Sequence, residues 1–280
     1  MQGRGEGAPR QEPARLAESP MPADRAALVT GGARRIGAHL VRVLAGRGYA
    51  VAIHYRGSAA EAETLAEKIR RAGARAAAIQ GDLTDPGQLE GLVMAAQAAV
   101  GPIRVLVNNA ATFEPDRAAD FPLAQWDRQL AINLRAPVVL AREFARLLPP
   151  DMSGLVVNLL DRRIAAPTGS YFSYTMSKLA LAAATELLAA ALAPRVRVNG
   201  IAPGLTLISG AQSEADFERL IDRTPLGKGS SPEAIAQALV YFLEADAVTG
   251  QFLFVDGGRR LVGRVPDDPA MVKNSRSRPE

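Results

Sequence analysis

Cysteine is absent from the 280 residues, which excludes disulfides, thiolate metal sites and cysteine nucleophiles and suits a reducing compartment; a cytoplasmic location is expected. Histidine occurs only at His39 and His54, both near the N-terminal end. With so few imidazoles, neither a Ser-His-Asp triad nor a His-rich metal cluster is expected, and no metal is assigned. Aromatic residues make up only 5% of the chain, while alanine, valine and leucine dominate. No uninterrupted apolar stretch is long enough to span a bilayer, so no membrane partner is expected. No internal repeat of 20–50 residues is visible.

Charge is also unevenly distributed. The formal net charge is +4, and the stretch from Arg259 to Glu280 holds six basic and three acidic residues, which accounts for +3 of it. The remainder is near neutral, so no nucleic-acid face is indicated. Residues 1–23 are rich in Gly, Pro, Ala, Arg and Glu without periodicity or the apolar segment of a signal peptide, and they read as a disordered tail. The organisation expected is therefore a tail over 1–23, one folded domain over 24–260 and a basic C-terminal tail over 261–280.

Inside the domain, short apolar runs alternate with helical patterns. Strands are expected at 27–29, 51–54, 76–80, 105–107, 155–158, 196–200 and 252–255, and helices at 36–47, 60–72, 87–100, 123–147, 173–191 and 232–244. Strands too apolar for one wet face, separated by helices, imply a parallel sheet covered on both sides. The segment Thr30-Gly31-Gly32-Ala33-Arg34-Arg35-Ile36-Gly37 follows the first strand and opens the first helix. Gly31 and Gly32 permit a tight turn, Gly37 permits close approach, and the exposed N–H groups at the helix start suit a pyrophosphate. Arg35 replaces the middle glycine of the usual dinucleotide fingerprint, so the strand and helix around the loop carry the argument for dinucleotide binding. The fold class is α/β, a single-domain Rossmann-type doubly wound parallel sheet with helices on both faces.

A second pattern lies further on. Tyr174 is followed by Lys178 in Tyr-Thr-Met-Ser-Lys, thirteen residues after Asp161. A free phenol has a pKa of about 10. An ammonium one helical turn away would favour the phenolate and bring that value toward neutrality. Alone, such a pair is an ordinary feature of a helix face; beside a nucleotide loop it becomes a candidate proton donor.

Between residues 25 and 258 the chain resembles the short-chain dehydrogenases/reductases. The ordered landmarks are Thr-Gly-x-x-x-Arg-x-Gly at 30–37, Asp82-Leu83, Asn108-Asn109-Ala110, Asn133, Tyr174-x-x-x-Lys178, Pro203-Gly204 and Asp256-Gly257-Gly258. Within that superfamily it is most similar to the pteridine reductases, including dihydromonapterin reductase-like members. Arg35, the run His54-Tyr55-Arg56-Gly57-Ser58 and Asp161 in place of the usual serine carry this, with support from Ala110-Ala111-Thr112-Phe113 and Pro203-Gly204-Leu205. Ala111 stands where the family commonly has serine, and Arg162 and Arg163 depart from its pattern.

Cofactor choice follows partly from the residues themselves. NAD sites place an acid about 20 positions beyond the glycine loop, whereas here His54, Tyr55, Arg56 and Ser58 precede the first carboxylate, Glu61. Arg56 and a serine hydroxyl can hold a 2′-phosphate, with Arg34 or Arg35 assisting, so NADPH is expected. The resemblance adds Gly31, Ile36, Gly37, Asp82, Leu83, Asn109, Ala110, Tyr174, Lys178, Pro203 and Gly204 to the cofactor groove. It implies that Lys178 also binds the nicotinamide ribose and that Asn133 props a helix and relays protons. Arg35, Phe113, Asp161, Tyr174 and Leu205 are the substrate candidates. Asp82 is also an ordinary turn residue and Phe113 an ordinary packing residue.

Asp161 discriminates most. A carboxyl there can orient a pterin or protonate it, and the two remain open; as a mere loop residue it would pair with Arg162 or Arg163. The expected reaction is NADPH-dependent reduction of a pteridine C=N bond, dihydropterin to tetrahydropterin, with Asp161, Tyr174, Lys178 and Asn133 as its catalytic set. A general carbonyl or 3-oxoacyl thioester reductase is the alternative. A non-enzymatic dinucleotide sensor is disfavoured by the retained Tyr/Lys pair. Small apolar residues over 179–193 suggest helix-to-helix assembly, and a homotetramer is expected.

Overall fold

The computed structural model describes residues 25–208 and 213–262. The tail expected over 1–23 and all but the first two residues of that over 261–280 lie outside them. Leu261 and Val262 instead close a 3-10 turn, Arg259–Val262.

Among the described residues, seven strands form one all-parallel sheet: β1 (Ala26–Val29), β2 (Ala50–Tyr55), β3 (Ala76–Gln80), β4 (Ile103–Asn108), β5 (Gly154–Leu159), β6 (Val196–Pro203) and β7 (Phe252–Val255). Their order is β3-β2-β1-β4-β5-β6-β7. The order reverses between β1 and β4, and in open parallel sheets of this kind ligands bind outside the carboxyl ends of the strands at such a switch point. The central strands are buried on both faces, as their nearly continuous apolar runs require.

Helices α1 (Arg35–Gly46), α2 (Ala59–Arg71) and α8 (Pro232–Glu244) bear on one face, where Leu40, Leu44, Leu65, Ile69, Leu239 and Phe242 meet Val51, Ile53, Val105 and Val157. On the other, α3 (Pro86–Val100) and α5 (Ala136–Leu147) bring Leu89, Val93, Leu140 and Phe144 against Leu28, Leu106 and Val156. The helix α6 (Phe172–Leu192) has a membrane-span composition, yet its Ser173, Tyr174, Ser177, Lys178 and Thr185 are buried beside β5 and β6, which marks it as a core helix.

The helix expected over 123–147 is one rod with a defect. It runs as α4 (Leu123–Leu130), a π-helical turn (Ala131–Arg135) and α5. Such a turn carries one extra residue in the helical ladder and is frequent at functional sites, and Asn133, which lies within it, bonds outward to Thr112. The helix α7 (Glu214–Asp222), capped by Ser213, was not anticipated, although Phe217, Leu220 and Ile221 repeat at helical spacing along its nine residues.

The glycine loop is held from both sides. The Gly31 N–H donates to His54 Nδ1 at 3.1 Å, and Asn109 Nδ2 donates to the Thr30 and Gly31 carbonyls at 2.9 and 3.1 Å. His54 Nε2, 3.2 Å from the Gly81 carbonyl, must then be the protonated nitrogen. His54 is therefore a neutral, buried clamp joining β1, β2 and β3, and not a group presented to a cofactor as expected. Burial lowers its pKa from 6.5 to about 4, against smaller opposing effects of the Gly81 bond and Asp82.

Unfolded chains protonate this histidine near pH 6.5 while the folded protein holds it neutral down to about pH 4. Unfolding therefore takes up a proton between those values, and stability falls as pH drops through the window. Melting temperatures recorded across it should decline in the wild type and decline less steeply in His54→Asn. Parallel slopes for the two proteins would assign the proton uptake to another group.

Candidate active site

Every expected site segment lies at the carboxyl edge of the sheet. The turn after β1 has Gly31 at φ +59° and Arg35 at φ +52°. A Cβ on Gly37 would sit 2.2 Å from the Gly31 carbonyl oxygen, so glycine is required for the first turn of α1 to close on the loop. No side chain caps this helix start, and its N–H groups are suited to an anion. Ile36 packs into the core behind the loop.

Beside it, Arg56 is exposed and Ser58 half-buried at the start of α2, where the Ser58 hydroxyl makes no capping bond. Arg34 leans toward α2, 3.6 Å from Glu61. Tyr55 ends β2 half-buried. This opening presents hydroxyl and guanidinium groups, so its donors fit a phosphorylated ribose. Asp82 accepts from the Thr84 N–H and hydroxyl, both at 2.8 Å, which hold its pKa below the ordinary carboxylate value. Leu83 does not present a side chain to the groove: it is buried in the core against α3. Arg35 reaches across the mouth of the cleft and donates to the Ile208 carbonyl at 3.2 Å, linking the glycine loop to the segment after β6.

The wall after β4 is fastened by Asn133. Its Oδ1 accepts the Thr112 N–H and its Nδ2 donates to the Thr112 carbonyl, both at 2.9 Å, and Nδ2 also lies 3.1 Å from Ser177 Oγ on α6. Asn133 thus joins the segment carrying Ala110 and Phe113 to the helix carrying Tyr174. Asp116 caps that helix from outside, accepting from the Ser173 N–H at 3.1 Å and from the Ser173 hydroxyl. On the far side, the Gly204 N–H donates to Ser230 Oγ at 2.6 Å and the Leu205 carbonyl accepts from the Ser230 N–H at 2.7 Å. These bonds fix the Pro203-Gly204-Leu205 turn after β6.

At the centre, the Tyr174 hydroxyl donates to Asp161 Oδ2 at 3.0 Å. Asp161 Oδ1 accepts the Arg163 N–H at 2.8 Å, and Arg163 Nη1 lies 3.6 Å from Oδ2. The carboxylate therefore meets the phenol and also pairs within its own loop, to Arg163. Burial and the neighbouring carboxylate hold the Tyr174 pKa well above 10, with Arg163 acting the other way. The expected depression by Lys178 is overturned. Its ammonium lies 5.8 Å from the phenol ring centroid and donates to the Leu159 carbonyl at 2.6 Å, and burial lowers its own pKa to about 8 against the pull of Asp161.

Tyr171 was missed from the sequence, and Arg163 was weighed there only as a loop partner of Asp161. Tyr171 stacks on Phe113 with centroids 4.1 Å apart, covering one face of the ring expected to hold a substrate, and Tyr174 meets Phe113 edge-on at 4.6 Å. Arg163 lies 5.3 and 5.2 Å from the Phe113 and Tyr171 centroids. The only advance signal for Tyr171 was an aromatic one helical turn before Tyr174.

Fold and site together define an oxidoreductase of the dinucleotide-binding α/β class. The chain belongs to the short-chain dehydrogenase/reductase family: the family model described as enoyl-(acyl carrier protein) reductase matches residues 31–260. A solved structure from Brucella suis, FolM alternative dihydrofolate reductase 1 in complex with NADP, is 45% identical, with 88% of this chain and 99% of that one covered and a TM-score of 0.84. Its Brucella canis counterpart, also complexed with NADP, is 44% identical over 88% and 98% of the two chains, with a TM-score of 0.82. The cis-4-hydroxycyclohexanecarboxylate dehydrogenase of Sinomonas cyclohexanicum is 35% identical over 86% of this chain and 98% of that protein.

The geometry makes Tyr174 a neutral phenol. Absorbance near 295 nm should show no tyrosine ionising between about pH 7 and 9 in the ligand-free protein. A phenolate step in that range, absent from Tyr174→Phe, would mean that Lys178 controls the phenol after all.

Proposed function

We propose that this chain is an NADPH-dependent reductase of pteridines that converts a dihydropterin to the tetrahydro form. The observation that carries the reading is the hydrogen bond from the Tyr174 hydroxyl to Asp161, in a site that also holds Lys178. Similarity to two proteins called alternative dihydrofolate reductase, both complexed with NADP, supports it.

Reduction of C=N adds a hydride to carbon and a proton to nitrogen. When bound, NADPH supplies the hydride. Its pyrophosphate would rest on the Gly31–Gly37 turn and its 2′-phosphate against Arg56 and Ser58, and Tyr55, Asp82, Ala110, Pro203 and Gly204 would line its groove. Lys178 would hold the nicotinamide ribose, and Asn133 keeps the Thr112 segment and α6 in place. Tyr174 keeps a transferable proton because burial and Asp161 both disfavour the phenolate. The Asp161 carboxylate accepts hydrogen bonds, which suits the N–H-rich edge of a pterin. Phe113, Leu205 and Arg35 line the substrate side. A binding ring would take the place of Tyr171 on Phe113, since the stacked pair leaves no gap for it. Self-assembly belongs to the same reading: Met176 and Leu187 are exposed on one apolar face of α6, where a homotetramer would bury them.

Arg56→Ala should raise the Michaelis constant for NADPH about tenfold or more while changing that for NADH little, because only NADPH carries the 2′-phosphate. Equal changes for the two cofactors would remove Arg56 from that role.

Steady-state assays with dihydropterin, acetoacetyl thioester and quinone panels test the substrate class. Pterin turnover is expected to dominate. Tyr174→Phe should lower turnover of every substrate by orders of magnitude with folding intact. Asp161→Ser should abolish pterin reduction while sparing or raising reduction of simple ketones. Pterin kinetics in that variant matching the wild type, at unchanged melting temperature, would defeat the assignment of Asp161.

A further inference from the structure

We infer that Arg163 is a positioning residue, which holds the Asp161 carboxylate against the Tyr174 hydroxyl and balances the charge that appears when the phenol gives up its proton. The inference rests on the reductase reading in taking Asp161 and Tyr174 as reacting groups, though not on the pterin as substrate.

Arg163 reaches the carboxylate twice, through its main-chain N–H to Oδ1 at 2.8 Å and its guanidinium 3.6 Å from Oδ2. Oδ2 is the atom that accepts the phenol at 3.0 Å. Rotation of the carboxylate would therefore disrupt the Arg163 and Tyr174 contacts together. The Arg163 and Asp161 side chains are only 6% and 16% exposed, so water screens this pair poorly.

The guanidinium is itself held in place. It is nearly equidistant from the Phe113 and Tyr171 centroids, at 5.3 and 5.2 Å, and these rings stack at 4.1 Å. Equal distances to two stacked rings place it alongside the pair. A ring that displaces Tyr171 would thus press on the same guanidinium that orients Asp161, coupling occupancy of the substrate wall to the proton-donating group.

Charge gives the second argument. Asp161, Arg163 and Lys178 sum to +1 around a neutral Tyr174 and to 0 around its phenolate. Without Arg163 the same states carry 0 and −1 in a buried site, where unbalanced charge is costly. Lys178 alone cannot supply the balance, because Asp161 already offsets it.

The test measures kcat and KM for Arg163→Met, Arg163→Lys and Asp161→Asn, and for Arg163→Met in the Asp161→Asn background. The substrate is whichever the wild type reduces best among a dihydropterin and a cyclic diketone, at saturating NADPH. Arg163→Met should lower kcat about 10- to 100-fold while leaving KM for NADPH within about twofold. Arg163→Lys, which keeps the charge, should recover much of the loss. In the Asp161→Asn background the Met substitution should cost less than about threefold, because Arg163 acts through Asp161.

An unchanged kcat in Arg163→Met, full additivity with Asp161→Asn, or a lysine variant as slow as the methionine one would overturn the inference. Arg163→Gln replaces the methionine variant in every comparison if the latter melts below the assay temperature. A wild type that reduces the diketone and no pterin would defeat the pteridine assignment, while the cycle on the diketone would still decide the role of Arg163.

Discussion

The main chain at Gly31 is gripped on both sides, its N–H by His54 and its carbonyl by Asn109. The site depends on this constraint, because it ties the ends of β1, β2 and β4 to one turn, and the Nε2 contact of His54 adds the end of β3 at Gly81. Two side chains are thereby committed to satisfying main-chain groups that would otherwise be stranded where parallel strands end. Gly37 then lets α1 approach as closely as the turn demands. A nucleotide-binding loop built in this way is set before any ligand arrives, and its free N–H groups cost no further ordering.

Across the crevice the organising force is electrostatic. A phenol, a carboxylate, an ammonium and a guanidinium share a poorly hydrated space, so the neighbouring charges bear directly on the phenol and on the ammonium. Burial and Asp161 make Tyr174 a firm holder of its proton, and burial takes Lys178 down to about 8. Lysine four residues after tyrosine therefore does not by itself activate the phenol. Its ammonium is turned to the Leu159 carbonyl. The partner that matters for the tyrosine is thirteen positions earlier in the chain.

Much of the fold was legible because it depends on short-range pattern. The expected strands at 76–80 and 252–255 and the helix at 232–244 coincide with the observed elements, and the other strand boundaries shift by no more than three residues. Apolar runs of strand length between amphipathic helices admit few other arrangements. The π-helical turn at Ala131–Arg135 was not legible: the bonds of Asn133 within it run to Thr112 and Ser177, and both partners are distant in sequence. The helix α7 was legible but overlooked: Phe217, Leu220 and Ile221 repeat at helical spacing behind the Ser213 cap, in a segment only nine residues long.

By itself, the sequence determined the class: strand-turn-helix around the glycines, a tyrosine on a helix with a lysine one turn on, and a carboxylate thirteen residues before that tyrosine. These are properties of residue type and spacing, which local sterics translate directly into structure. Tertiary structure alone decided what each group does. His54 and Leu83 were drawn from the expected cofactor face into the packing, Tyr171 was laid on Phe113, and Arg163 was set against Asp161. Burial and cross-chain pairing control those outcomes, and both are fixed by how distant segments meet at the end of the sheet.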